Sequence, residues 1–435
     1  MKEEYLHYLW KLNRLPLLSL TTVSNETLEI INPGWLNTDA GPDFFNGKVR
    51  FNNVVWSGNI EIHVNSSDWY KHKHQFDRAY DNVVLHVVYN YDVPVYINEE
   101  PIPTLELKKY IDKTHFDKYD DLLRSRLFIP CAESFDANDF EVQQQIDIAL
   151  FHRLERKAAE LAFANANHHL SDRRRILMSS LISAFGNRAN RLPFEELSQR
   201  ISFEMVMKER WSKERLEALV IGIAGLLPET SSDSFEIGLI TYWKQLCNMY
   251  DLTEMNSSSW KFSGVRPNNF PTLRLAQLVS FLMRWDFSDL IGMSAQEILN
   301  KYALFFGAEP SVYWRTHYRF GTSEVSDFSR KFSKEMRTLI LINGLVPYLI
   351  YLKQYHDDFQ AGDVAIEILS ILQPEKNSLM KKWKDLGVSI DSALGSQGLL
   401  ELKQQFCDYH RCLDCKIGHK LLEGSSVSDC YDFYI

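Results

Sequence analysis

The chain changes period at about Tyr110. Before that point apolar residues come in short, strand-length runs bounded by Asn, Gly, Pro and Asp. Beyond it they recur every three or four residues over long stretches. Tyr5, Tyr8 and Leu9 give one apolar face to a predicted helix over Glu3–Leu12. Leu17–Thr22 and Thr27–Ile31 flank the turn-prone Ser24-Asn25 and predict a hairpin. Lys48–Phe51 and Val54–Val64 predict a second hairpin across Asn52-Asn53. Asn82–Asn90 (NVVLHVVYN) has the β-branched content of a strand buried on both faces, and Pro94, Pro101 and Pro103 mark the exit from this unit.

Helical spacing then covers Glu141–Ala166, Arg173–Phe185, Lys213–Leu227, Arg274–Met283, Phe332–Tyr351 and Asp363–Leu372. The expected fold is α+β, with an N-terminal α/β domain over residues 1–109 and a mainly helical domain over 110–435 that ends in a cysteine cluster at 404–420. The Gly-Pro-Asn punctuation of Ser263–Pro271 is a candidate boundary between helical subdomains. At 435 residues the chain exceeds one ordinary core, and 45% hydrophobic with 24% charged residues is a globular balance.

Charge and cysteine usage narrow the setting. The net charge of −9 argues against a protein that coats nucleic acid non-specifically, although a local basic groove stays compatible with it. The stretch from Arg153 to Arg191 holds eight Arg/Lys against three Asp/Glu, and Arg173-Arg174-Arg175 either face phosphates or form a solvated helix start. The start Met1-Lys2-Glu3-Glu4 has no secretory pattern. The longest apolar stretch, Leu339–Leu352, is broken by Asn343, Gly344 and Pro347 and falls short of the roughly 20 residues of a membrane span. Six cysteines in so long a chain do not make a disulfide framework, so a reducing, cytoplasmic setting without a membrane is expected.

The densest chemistry lies at Gly41-Pro42-Asp43-Phe44 and Gly58–Val64 (GNIEIHV). Strand alternation puts Glu61 and His63 on one face and Ile60, Ile62 and Val64 on the other. Asp43 opens the neighbouring arm. Paired carboxylates repel unless a cation lies between them, and hard oxygen ligands suit Mg²⁺ or Mn²⁺, so Asp43 and Glu61 are candidate metal ligands with His63 orienting or deprotonating water. This arrangement resembles the PD-(D/E)XK restriction-endonuclease-like nucleases. The resemblance covers the first hundred residues, with Pro42-Asp43 as the first half-motif and Glu61-Ile62-His63 as the second. It implies a helix, three strands, helix, strand core and nucleic acid as substrate or partner. His63 stands where that superfamily carries lysine, which removes a fixed positive charge.

A second metal chemistry is open. His63, His74 and His86 supply enough nitrogen ligands for zinc, with zinc-assisted hydrolysis as the reaction. His86 alone reads as a core histidine. His72 and Asp77 lie beside His74. Ser66-Ser67-Asp68-Trp69 reads as a loop over the site, with Trp69 either stacking on a base or sugar or packing in the core. A third reading is a non-catalytic interaction protein that keeps a relic of the nuclease core.

Near the C-terminus, Cys407, Cys412 and Cys415 sit with His410 and His419 in CDYHRCLDCKIGH. Cys-x2-Cys is a half-site for zinc, and Cys131, His410, His419 or Cys430 are candidates for the fourth ligand. The early Cys131 with the three late cysteines is also an iron–sulfur pattern, and reduced thiols without metal are the plain alternative. Cys247, on an apolar helix, reads as core. DAGPDF, GNIEIHVNSSDWYKH, YDNVVLHVVY, FGNRAN, GIAGLLP, RPNNFPTLRLAQL and CLDCKIG together resemble the domain-of-unknown-function family 2851. That likeness implies a shared fold and brings no activity with it.

Overall fold

In the computed structural model, residues 1–12, 15, 20–111, 113–166, 173–186, 189–323 and 330–423 are described. Cys430 and residues 17–19 of the expected first strand lie outside them. The protein is α+β: an N-terminal sheet-rich region is followed by a mainly helical one. It forms two compact units, Met1–Asp136 together with the stretch from Gln404, and Ala137–Lys403. The first unit thus extends past residue 109 and takes back the C-terminal cysteines. The second runs through the Ser263–Pro271 loop without dividing there, because the helix after it, Pro271–Arg284, is buried over most of its length.

In the first unit, α1 (Glu3–Lys11) is followed by β1 (Leu20–Thr21), β2 (Thr27–Asn32), β3 (Trp35–Leu36), β4 (Phe44–Phe51), β5 (Val54–Asn65) and α2 (Asp68–Lys71). Then come β6 (Val83–Asn90), the small ladder of β7 (Tyr96–Ile97) and β8 (Glu100–Pro101), β9 (Thr104–Glu106) and α3 (Lys113–Arg124). The sheet order is β1-β2-β4-β5-β6-β9, with β3 also paired to β4. The expected hairpins form: β1 pairs β2, and β4 pairs β5 across Asn52, whose φ is 54°. Strands β5, β6 and β9 run parallel. The proline-rich exit therefore hides one more strand: the Pro103 carbonyl accepts the His86 amide, leading straight into β9.

Tyr5, Leu6, Leu9 and Trp10 of α1 join Phe44, Ile60, Ile62, Leu85 and Val87 in one core, with Leu422 from the C-terminal helix Lys416–Glu423. Gly58 lets β5 lie close to the turn before β6, since a Cβ there would stand 2.6 Å from the Asn82 carbonyl oxygen.

Among the described residues the second unit is helical apart from a small two-stranded ladder, His317–Arg319 with Thr322–Ser323. Its long helix Phe140–Ala164 packs along Ala393–Glu401 and Val346–His356. The helical run Lys334–His356 has the length and apolar character of a membrane span, but 72% of its most apolar window is buried in this unit. It passes Asn343, Gly344 and Pro347 through a wider π turn at Leu341–Leu345, where Ser180 Oγ donates to the Gly344 carbonyl at 2.7 Å.

Candidate metal centre

The link between the parallel strands β5 and β6, residues 66–82, folds back over the sheet face that carries Glu61, His63 and His86. Its start is pinned. Ser66 Oγ takes the Asp92 and Val93 amides at 3.0 and 2.9 Å, and Asp68 Oδ2 takes the Asn65 amide at 2.9 Å. Trp69 is fully buried beneath the link, edge-on to His74, Tyr80 and His86, so it packs rather than stacks on a ligand. After α2, Lys73 adopts a left-handed φ of 65°, the turn that ends a helix. His72 and His74, on either side of it, both come to lie against His63, at ring-centroid distances of 5.0 and 5.3 Å. Tyr80 stacks on His74 at 3.9 Å.

One ligand atom from each of His63, His72 and His74 lies within 4.8 Å of the others. His63 Nε2 is 3.1 Å from His72 Nδ1, while Glu61 Oε1 is 3.5 Å from His63 Nε2 and 3.3 Å from His74 Nε2. A tetrahedral ion with bonds of about 2.0–2.1 Å separates its ligand atoms by about 3.3 Å. The His63–His72 spacing thus matches one edge of such a polyhedron, and Glu61 Oε1 stands beside the same nitrogens. The second nitrogen of His63, Nδ1, is 2.9 Å from His86 Nε2, an outer contact that fixes the ring. His63 and His86 are buried and His72 is exposed, so the cluster opens to solvent on one side.

Asp43 and Glu61 clasp each other through backbone amides. The Asp43 N–H donates to Glu61 Oε2 at 3.1 Å, and the Ile62 N–H donates to Asp43 Oδ2 at 2.9 Å. Asp43 Oδ2 also lies 3.2 Å from His7 Nε2 on α1. The β4–β5 register shifts between Phe44 and Gly47, beside Asp43, as bulges do where a strand end is re-aimed.

Burial dominates the electrostatics. It pushes the Glu61 carboxyl up to about 9, with the Asp43 charge adding to the effect. It lowers His63 to about 2, helped by repulsion from His86, His74 and His72, lowers His86 to about 3, and lowers His74. Without a cation Glu61, His63, His74 and His86 are thereby held neutral, the state nitrogen ligands need.

The sign of the pH dependence follows. Glu61 is raised on folding, so its contribution is fully present below about pH 4.5 and is lost as pH rises toward about 9. His63 and His86 are lowered, so theirs is present above about pH 6.5 and lost as pH falls. In metal-free protein, Glu61→Gln is expected to leave stability unchanged near pH 4.5 and to stabilise by roughly a few kcal/mol at pH 7, the gap still widening toward pH 9. Urea unfolding in chelator at these pH values measures it. A pH-independent difference would mean that the carboxyl is not held neutral.

Of the residues singled out from sequence, Asp43, Glu61, His63 and His74 come together. His86, expected from sequence as the third nitrogen of a zinc set, lies instead behind His63 against its Nδ1, and His72 stands with His63 and His74 in its place. Asp77 is exposed and caps the turn at Ala79. Glu3 and His7 were missed because α1 was read for its apolar face alone. Glu3 is raised by burial and then by the Asp43 charge.

The fold and site define an α+β protein whose sheet face carries a three-histidine, metal-type cluster. The chain belongs to the family described as a protein of unknown function, DUF2851, whose model matches residues 3–378. No curated protein and no solved structure matches it.

Proposed function

We propose that the first unit is a metal-dependent hydrolase, with a zinc-class ion held by His63, His72 and His74. The convergence of these three imidazoles carries the reading. Nitrogen ligands select borderline metals over Mg²⁺. The ion supplies Lewis-acid chemistry. The charge of a bound cation would return Glu61 to its carboxylate; facing the ligand nitrogens through Oε1 and held through Oε2, it would then take the proton of the attacking water and return it to the leaving group.

A second reading keeps the restriction-endonuclease-like core, with Asp43 and Glu61 holding Mg²⁺ or Mn²⁺ and nucleic acid as substrate. The nearness of the two carboxyl groups and the helix, meander, crossover, parallel-strand order support it.

Elemental analysis of native protein, with hydrolysis of carboxylic ester and phosphodiester substrates, including single- and double-stranded DNA and RNA, in zinc, manganese or magnesium, separates the two. The first reading expects bound zinc-class metal and activity that Glu61→Gln abolishes while metal stays bound. Magnesium-specific DNA or RNA cleavage with no bound zinc-class metal supports the second. Loss of metal in Glu61→Gln, with no hydrolysis of any substrate by the native protein, makes the site a closed structural one and overturns both.

A further inference from the structure

Outside the histidine cluster, no second group of described side chains stands within metal-ligand distance, Cys131, Cys407, Cys412 and Cys415 included. What the first unit leaves unsatisfied is backbone. Strand β5 pairs with β4 on one side from Val54 onward, but β6 joins its other side only from Asn59. The Asn59 N–H points to that second side, donating to the Asn82 carbonyl at 2.8 Å. Strand alternation turns the N–H and C=O groups of Val55 and Ser57 the same way. Among the described residues no strand pairs with them, and Val54, Val55, Trp56 and Ser57 are all exposed.

Other edges of this sheet are defended. The Val23 N–H covers β9, donating to the Thr104 carbonyl at 2.9 Å. The open side of β2 carries the charge of Glu29, a register shift between Ile30 and Asn32, and Pro33 just beyond. Charges, bulges and prolines are the devices that keep edge strands from pairing. Val54-Val55-Trp56-Ser57 has none of them. It is also apolar on both faces: Val54 and Trp56 flank Phe51 and Val49 on the core side, and Val55 shares the face of Glu61 and His63.

We infer that this edge pairs, antiparallel, with the same edge of a second copy of the chain, about a twofold axis at Val55. A twofold between identical strands sets each free donor opposite a free acceptor with no further matching. Asn82 and β6 close the edge from Asn59 onward, and centring on Val55 keeps the incoming strand short of that point. Val55 then faces Val55 of the partner subunit, and Trp56 lies beside Val54 of the partner subunit, an aromatic against a β-branched side chain. Val54 is 60%, Val55 51% and Trp56 47% exposed. Their free surface is roughly 300 Å² per copy, at the scale of one or two buried aromatic side chains. That places the interface below the roughly 1,200 Å² in total of a permanent complex, so the dimer is reversible. The two sheets become one, with both histidine clusters on the same face.

The test is sedimentation equilibrium of the full chain from about 1 to about 300 µM, with hydrogen exchange of the Val54–Ser57 amides followed over the same range. Monomer is expected at the low end and dimer toward the top, with exchange slowing as the dimer forms. Val55→Pro removes an N–H that the monomer does not use, on an edge where proline is tolerated. Val55→Glu stands beside Arg50 in the monomer but sets two carboxylates opposite each other across the twofold. Each is expected to weaken dimerisation by at least about tenfold. A monomer throughout the range, or a dimer that both variants leave unchanged, would overturn the inference. So would slow exchange of these amides in the monomer, which would mean that the chain covers its own edge.

Discussion

His72→Ala is expected to weaken zinc binding at the N-terminal centre by at least about 100-fold, while the metal-free protein stays folded. Outer-sphere partners of metal ligands already cost about 10–100-fold, and a lost ligand costs more. His72 is exposed, so truncating it opens no cavity, and its Nδ1 lies 3.1 Å from His63 Nε2. Competition titration against a chelating dye measures the loss, with far-UV circular dichroism reporting the fold. The variant also divides the two functional readings, because Asp43 and Glu61 are untouched. An affinity within about threefold of wild type would sink the histidine-centred site.

The largest stability effect is expected in the helical unit, at Glu401. Its side chain is fully buried between Ala393–Glu401 and Phe140–Ala164. It takes His152 Nδ1 at 2.9 Å, Arg153 Nη1 at 3.1 Å, and Arg156 Nε and Nη2 at 2.9 and 2.8 Å. Burial alone would raise this carboxyl, but the Arg156 and His152 hydrogen bonds and the two guanidinium charges bring it down to about 2. Arg153 is itself buried, and its Nε is taken by Gln397. Removing the carboxylate leaves the buried Arg153 guanidinium without its hydrogen-bonded counter-charge.

Glu401→Ala should therefore cost about 3–5 kcal/mol, against less for Glu401→Gln, which keeps the volume and one acceptor. Denaturant unfolding of the full chain, read on the helical transition, checks it. A loss below about 1 kcal/mol would mean that water or a neighbouring group replaces the carboxylate.

The coarse fold was legible because period is a local property. Alternation and β-branching marked β2, β4, β5 and β6, and helical spacing marked Phe140–Ala164 and Pro271–Arg284 to within a few residues. Strand β9 was not legible: it is three residues long, follows two prolines, and exists because β6 offers it an edge. The same limit governs the site. Glu61 and His63 share a face by alternation, which any strand shows. That His72 comes to His63 depends on a left-handed lysine and on Trp69 filling the space below, and neither has a distinctive sequence signal. The pair His72-Lys73-His74 was visible, but two ligands two residues apart diverge unless the backbone turns between them. The return of Gln404 onward to the first unit is a long-range pairing with no local pattern.

That return orders events at the ribosome. Synthesis runs from the N-terminus, so the sheet and α1 emerge long before Leu422, which belongs to their core, and before the helical unit between them is made. The helical unit is continuous in sequence and can close on its own as it leaves the exit tunnel. The N-terminal unit has to wait with an unfinished core until the segment carrying Leu422 is released. Nascent and prematurely terminated chains therefore share one liability: an exposed apolar face on the sheet-bearing half, a natural target for holding chaperones and quality-control proteases.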